Sequence, residues 1–563
     1  MPGKSLILLV ITCLSVLNCN SQALNSDDRL REKVLQYGQA EVKVPYSDIK
    51  SIDLLTTNVS ILSIKDKVVN IRLSPLTVEW FIQQKFNYQV TVLPEIKAIT
   101  AITKELPLQW DKYPTYSQYD SIMHRFLSLY PSLCHLDTIG TTNYGKLVLV
   151  LRISGSADVK PAAFYTSSIH GDETGGFILM LHLADYLLKN YGLSSRVKSL
   201  LDNLEIWLNP LANPDGTYGT GNTISSPVRF NANGVDLNRN FPDPFTPNVI
   251  KQKETLDMIK FLRKHKFVLS ANFHSGSEVV NYPWDRWLTK IHADDSWFNS
   301  ISRSYADTVH HYAGPAYMNL LDNGVTRGAL WYIIYGGRQD FVTWELHGRE
   351  VTIELDDQFI TPEAQLTLLW QNNWHSLMGY LENALYGIHG HVQNALTHLP
   401  VPARVFIEGH DKDSSQVYSD TLTGNFIRFL SPGSWDLTFT APGYFPVTIS
   451  SVTVTSGQKT DLTVDMSPIA SKIDPAVSDS HLVLYPNPAK GLLKALLPDK
   501  LNGKINIRII NMAGMTLSDY DAEVIPETPL LIDIHTMSEG IYSIVFTNDI
   551  TRTSLSGRFV VIK

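Results

Sequence analysis

The stretch AAFYTSSIHGDE, residues 162–173, decides the fold. Its first eight residues are apolar or small throughout, the pattern of a strand buried on both faces rather than one with a wet side. Similar runs recur on either side of it: LVLVLRI (147–153), LEIWLNPL (204–211), FVLSANF (267–273) and VTIEL (351–355). Helical periodicity separates them over Tyr119–Leu129, Gly175–Leu188, Lys253–His265 and Glu363–Leu385. Apolar strands alternating with helices predict a mainly parallel mixed sheet covered on both faces, an α/β sandwich over residues 109–386.

In such a sheet, ligands gather at the carboxyl ends of the strands, which is where HGDE stands. An HxxE pair alone is a common surface pattern. A third candidate, His274, ends a second strand, so two strand ends can deliver His170, Glu173 and His274 to one point. Two imidazoles and a carboxylate leave one tetrahedral position of a zinc ion open for water, as hydrolysis requires. Glu354 lies inside an apolar strand, where an unpaired carboxylate is costly; it is either half of a buried salt bridge or a general base. Between these points lies VRFNANGVDLNRNFPD (228–243), in which Arg229, Asn238 and Arg239 are donors suited to binding a carboxylate and polarising a carbonyl.

Six segments, HGDE, NPLANPDG, RFNANGVDLNRNFPD, LSANFHSGSEVVNYPWD, WYIIYGGRQDF and EVTIEL, together resemble the carboxypeptidase A-like zinc metallocarboxypeptidases. The resemblance is closer to the carboxypeptidase N/E branch, whose members carry a transthyretin-like sandwich after the catalytic domain, and it covers about Trp110 to Met466. It implies one zinc ion per chain on His170, Glu173 and His274, with Glu354 as general base and Arg229 stabilising the oxyanion. Asn238 and Arg239 would grip the free carboxylate of a peptide or protein C-terminus. Tyr332 matches a mobile tyrosine that closes over bound peptide, and Asp236 matches an acid that hydrogen-bonds a zinc-bound imidazole. Asp285 matches the acid that receives a C-terminal Lys or Arg, with Gln339 as its neighbour in the pocket. Such a clamp, set at a fixed distance from the metal, admits only the last peptide bond to the attacking water. Two departures stand out: the branch usually has HGGS and GGMQD where this chain has HSGS and GGRQD. Arg338 thus puts a positive charge beside the expected pocket, and pointing inward it would oppose a basic preference.

The flanks read differently. Residues 1–23, with Lys4, an apolar run from Leu6 to Leu17 and Ser21-Gln22-Ala23, predict a signal peptide; a lipid-modified Cys19 is the alternative. The apolar run is too short to span a bilayer. Cys134 is then the one cysteine left, so no disulfide framework is expected. Residues 24–108 predict a small α/β unit, with β-like runs VSILSI and YQVTVL around a helix-like Pro75–Lys85. This unit is an activation segment or a permanent accessory. Alternating strands predict a transthyretin-like β-sandwich over 387–466, and a Ser/Pro/Asp-rich linker follows over 467–480. The last unit, 481–563, with LVLYPNPAKGLL, KINIRIINMAGMTL and MSEGIYSIVFT, is similar to the C-terminal sorting domains of type IX secretion cargo. That implies the type IX machinery as a partner and a cell-surface or secreted destination.

The composition, 44% hydrophobic and 18% charged with a net charge of -8 over 563 residues, is that of a globular multidomain chain and offers no basic stripe for nucleic acid. The rival readings are an amidohydrolase of the same wider family acting on cell-wall peptides or small amides, and a surface adhesin with a dead site.

Overall fold

The computed structural model describes residues 25–46, 49–91, 109–245, 250–469, 482–512, 514–525, 528–548, 550 and 553–563. The expected signal peptide and most of the expected linker lie outside these residues. Among them, no helix is long and apolar enough to cross a membrane.

The first contact-defined unit ends at Pro468. Its centre is an eight-stranded sheet with the order Val325–Arg327, Ser277–Tyr282, Arg349–Asp356, Leu269–His274, Ala162–Ser167, Glu205–Asn209, Leu147–Ile153 and Cys134–Thr141. Four of its seven pairings are parallel and three antiparallel, so the sheet is mixed, with the parallel part in the middle. Side chains alternate across it as the two-residue period requires. Tyr165, Ile206 and Leu208 face one buried layer, whereas Val150, Phe164 and Trp207 face the other. The first layer is closed by helices Tyr116–Leu129, Gly175–Asn190, Asp295–Ala313 and Glu363–Glu382, the second by Lys253–His265 and Arg338–Glu345. The first of these helices starts on a capping box in which Thr115 and Gln118 each satisfy the other's backbone N–H.

Three parallel strands, Ala162–Ser167, Leu269–His274 and Arg349–Asp356, end on the same side, and Glu354 pairs in register with His274. This shared edge sets His274 and Glu354 side by side.

Residues 25–91 form a four-stranded antiparallel sheet, ordered Ser60–Lys65, Val68–Leu73, Ala40–Pro45 and Gln89–Thr91. Three helices accompany it, Ser26–Tyr37, Ile49–Asn58 and Val78–Gln83. Only the third was expected. The first is held by an Asn25 cap and buries Leu30 and Val34, four residues apart on one face.

After Tyr386 the chain folds into two facing sheets of three and four strands over one core, including Ile388, Val405, Phe426, Leu437 and Phe439. A buried charge network joins them to the eight-stranded sheet and its helices: Asp294 Oδ2 accepts from Arg349 Nη2 at 2.7 Å and Arg428 Nη1 at 2.5 Å, while Arg428 Nη2 reaches Asp411 at 2.6 Å. The second unit, Ile469–Lys563, contains a three-stranded and a four-stranded antiparallel sheet with its own apolar core. Cys134 is a buried free thiol.

Candidate metal centre and its cover

His170 and Glu173 sit in the turn between strand Ala162–Ser167 and helix Gly175–Asn190. The turn is tight because Gly171 lies against Gly216 of the NPDG segment, where a Cβ would fall 2.2 Å from the Gly216 carbonyl carbon. His170 Nδ1 is 2.8 Å from Glu173 Oε1, His274 Nδ1 is 2.7 Å from Glu173 Oε2, and the two Nδ1 atoms are 3.1 Å apart. All three residues are at most 3% exposed.

These three donors suit a zinc ion in kind and number, and their ligand atoms lie close enough together to share one ion. The outer nitrogens fit as well. His170 Nε2 is 3.0 Å from Asp236 Oδ1, which accepts its N–H and so leaves the Nδ1 lone pair free. His274 Nε2 faces the Asn272 amide at 2.8 Å, and Asn272 Oδ1 is buried without a partner among the described residues. Turning that amide end for end satisfies the oxygen with the Nε2–H and frees Nδ1 in the same way.

The charges are mutually adjusted. Burial opposes ionisation of Glu173, yet the two imidazoles hold its carboxyl well below the usual range. Asp236 is likewise held low, against burial, by Arg229 and His170. Glu354 moves the other way: burial, then the neighbouring Glu173, push it well above the usual range. Arg229 donates through Nε to Asp236 Oδ2 and through Nη1 to Glu173 Oε1, both at 3.0 Å.

Arg229, Asn238, Arg239, Tyr332 and Glu354 line one cavity with His170, Glu173 and His274. Arg239 Nε and Nη2 have no hydrogen-bond partner among the described residues, and Asn238 Oδ1 accepts the Arg338 backbone N–H at 2.9 Å. Asp285 and Gln339 lie one layer deeper, below Asn281: Gln339 Nε2 donates to Asn281 Oδ1 at 3.2 Å and to Asp285 Oδ1 at 3.0 Å. Burial pushes the Asp285 carboxyl up to about 7. Arg338 does not enter this pocket. It is fully buried and turns to Glu350, with Nη2 to Oε2 at 2.8 Å.

Sequence reasoning missed Asn281, Thr352 and the whole contribution of the N-terminal unit. Thr352 was legible in principle, since it shares a strand face with Glu354. The N-terminal contribution was not. Ile61 and Leu62 line the cavity, leaving about 20 Å³, room for about one water. Ser60 Oγ donates to Asp236 Oδ2 at 2.6 Å, Gln39 Oε1 accepts the Arg229 backbone N–H at 3.0 Å, and Arg72 pairs with Asp172 of HGDE. Tyr332 packs against the core of the N-terminal unit, and Tyr335 donates to Asp53 at 2.8 Å.

Three family models match the chain: Zinc carboxypeptidase over residues 119–376, Carboxypeptidase regulatory-like domain over 387–467, and Secretion system C-terminal sorting domain over 483–562. Carboxypeptidase D of Homo sapiens is 34% identical over 359 residues, 61% of this chain and 26% of that protein, so the chain spans about a quarter of that relative. Carboxypeptidase M of Mus musculus is 33% identical over 56% of this chain and 75% of the relative. Carboxypeptidase N catalytic chain of the same species is 30% identical over 62% and 85%.

Proposed function

The chain belongs to the zinc carboxypeptidase family, and from that premise we propose that it hydrolyses the C-terminal peptide bond of peptides and proteins and releases terminal Lys or Arg. The observation that carries this reading is the convergence of two Nδ1 atoms and one carboxylate in a cavity that also contains Glu354 and a partly unpaired arginine.

His170, Glu173 and His274 would hold a zinc ion, which when bound would supply Lewis-acid chemistry toward water and a carbonyl. Glu354 is the general base that takes the proton of the attacking water and passes it to the leaving amine; its position in register with His274 supports that role. Arg229 meets the developing oxyanion, supported by the way its Nη1 already faces an anion at the centre of the site. Asp236 fixes the His170 tautomer. The free nitrogens of Arg239 and the amide NH2 of Asn238 bind the terminal carboxylate, and Tyr332 closes over the peptide. Asp285, with Gln339 beside it, receives the terminal cation. A carboxyl near 7 costs little to leave neutral in an empty pocket, and an entering ammonium or guanidinium favours its ionised form. The Arg338–Glu350 pair removes the objection that Arg338 fills the pocket with positive charge.

Residues 25–91 act as an inhibitory cover, since a space for about one water cannot admit a terminal side chain. The sorting-domain match supports export by type IX secretion to the cell surface or the medium. The clamp residues favour peptide C-termini over small amides, and retention of all three ligands with Glu354 argues against an adhesin with a dead site.

The test offers the full chain, before and after limited proteolysis of the cover, peptides that differ only in the last residue. Release of Lys and Arg, lost with chelator and with Glu354→Gln, is the expected result. Equal or faster release of Leu and Phe refutes the specificity, full activity of Glu354→Gln refutes the base, and no hydrolysis by the uncovered chain refutes the peptidase.

A further inference from the structure

Behind the specificity pocket lies an ion pair for which stability is a weak explanation. Arg338 and Glu350 are both fully buried, the guanidinium stands 5.1 Å over the Phe164 ring, and Ser270 Oγ adds a second donor to Glu350 Oε2 at 2.7 Å. Among the described residues, Arg338 Nε and Nη1 and Glu350 Oε1 have no hydrogen-bond partner. A buried pair satisfied only in part contributes little, and a neutral pair of similar volume would hold the fold as well.

The position of the pair is more telling. Arg338 opens helix Arg338–Glu345, and its chain neighbour Gln339 holds Asn281 and Asp285. Glu350 shares a strand face with Thr352 and Glu354, both of which line the cavity. The charges facing Asp285 are Arg239, which draws its carboxyl down, and Glu350, which pushes it up, with Asp340, Glu354 and Tyr332 also within electrostatic reach. Glu350 is thus close enough to be felt at Asp285, and Arg338 adjoins in the chain the Gln339 that bonds Asp285. An unpaired Arg338 would repel the cation that the pocket is read to take.

We propose that Glu350 is a specificity-determining residue: it cancels the charge of Arg338 beneath the pocket, so that Asp285 is left as the charge a terminal Lys or Arg meets. This rests on the substrate reading above. The residue acts without touching the substrate, through the field of its partner.

The experiment measures kcat and KM of the full chain, in the activated form in which the wild type hydrolyses peptides, for two peptides ending in Lys or Leu. Glu350→Gln is expected to lower the Lys-over-Leu ratio of kcat/KM at least about tenfold, the order of one poorly screened unit charge, chiefly through KM. The double variant Arg338→Met/Glu350→Gln is expected to return within about threefold of the wild-type ratio. A merely structural role would lower both substrates together and would not be rescued, and that result overturns the proposal. So does a folded Glu350→Gln protein with an unchanged ratio. Should Glu350→Gln fail to fold, the double variant alone decides: a wild-type ratio supports cancellation, whereas a tenfold gain for Lys shows that the Arg338 charge already reaches the pocket and refutes it. A wild type without preference for Lys sinks the substrate reading and this proposal with it; a wild-type preference untouched by Glu350→Gln sinks this proposal alone.

Discussion

Arg72→Met should unlatch the cover. Arg72 comes from the N-terminal sheet and pairs with Asp172 in the HGDE turn, with side chains 3% and 5% exposed. Removing one partner of such a pair costs about 3–5 kcal/mol, because the other charge stays buried and unpaired. Here that cost falls on the closed arrangement alone, since Asp172 regains water once the cover lifts. At 1.4 kcal/mol per factor of ten, the open-to-closed ratio rises at least about 100-fold. Ser60→Ala removes a hydrogen bond to the Asp236 carboxylate, worth about 1.5–3 kcal/mol, so its effect should be smaller, about 10- to 100-fold. The assay is the initial rate of release from a short peptide by the uncleaved chain, set against the same chain after limited proteolysis of its cover. The uncleaved wild type should be the slowest, Ser60→Ala intermediate and Arg72→Met fastest, with all three converging after cleavage. An uncleaved wild type as fast as the cleaved one refutes the cover, and an Arg72→Met chain that melts normally yet stays as slow as the wild type refutes the latch.

Three further expectations follow from the same geometry. Adding zinc to the chelated chain should raise Tm, because an ion that binds the folded site alone stabilises it by mass action; His274→Ala should abolish that rise, and a rise that survives it would place the ion elsewhere. Gly328→Ala should raise KM for a Lys-ending peptide about tenfold or more while sparing a Leu-ending one, because the new Cβ would fall 1.7 Å from Asp285 Oδ1 and must displace it; equal effects on both peptides would mean that Asp285 does not read the terminal residue. The sandwich junction should be acid-labile: burial opposes Asp294 ionisation, but Arg428 and Arg349 hold its carboxyl well below the usual range. A carboxyl lowered in the folded state contributes stability that is complete above its unfolded pKa of about 4 and is lost as pH falls through the folded value. Urea melts between pH 2 and 7 should therefore show Asp294→Asn weaker at neutral pH and flatter towards acid, and a parallel offset from the wild type at every pH would contradict that assignment.

The sequence by itself determined most of the elements and which candidate residues stand at their ends. Fully apolar strands such as AAFYTSSI and VTIEL impose a sheet covered on both faces, and the location of function at strand ends follows from that. His170, Glu173 and His274 were legible because each stands at or just beyond such an end, and Glu354 because a carboxylate in an apolar strand demands a reason. These signals are local: they depend on side-chain period and on the cost of burying charge.

What surrounds the site was decided by contacts between segments far apart in the chain, which no local pattern encodes. Ser60 meets Asp236 across 176 residues, and Arg72 meets Asp172 across 100. The strand VSILSI has the same period whether its Ile61 and Leu62 face water or close a cavity. Arg338 shows the same limit at short range. Its charge is plain in the sequence, but whether that charge enters the pocket or is cancelled depends on the side chain finding Glu350 once helix Arg338–Glu345 has packed onto strand Arg349–Asp356. Electrostatic sign is a property of residues, whereas the field at a site is a property of distances, and folding alone sets those.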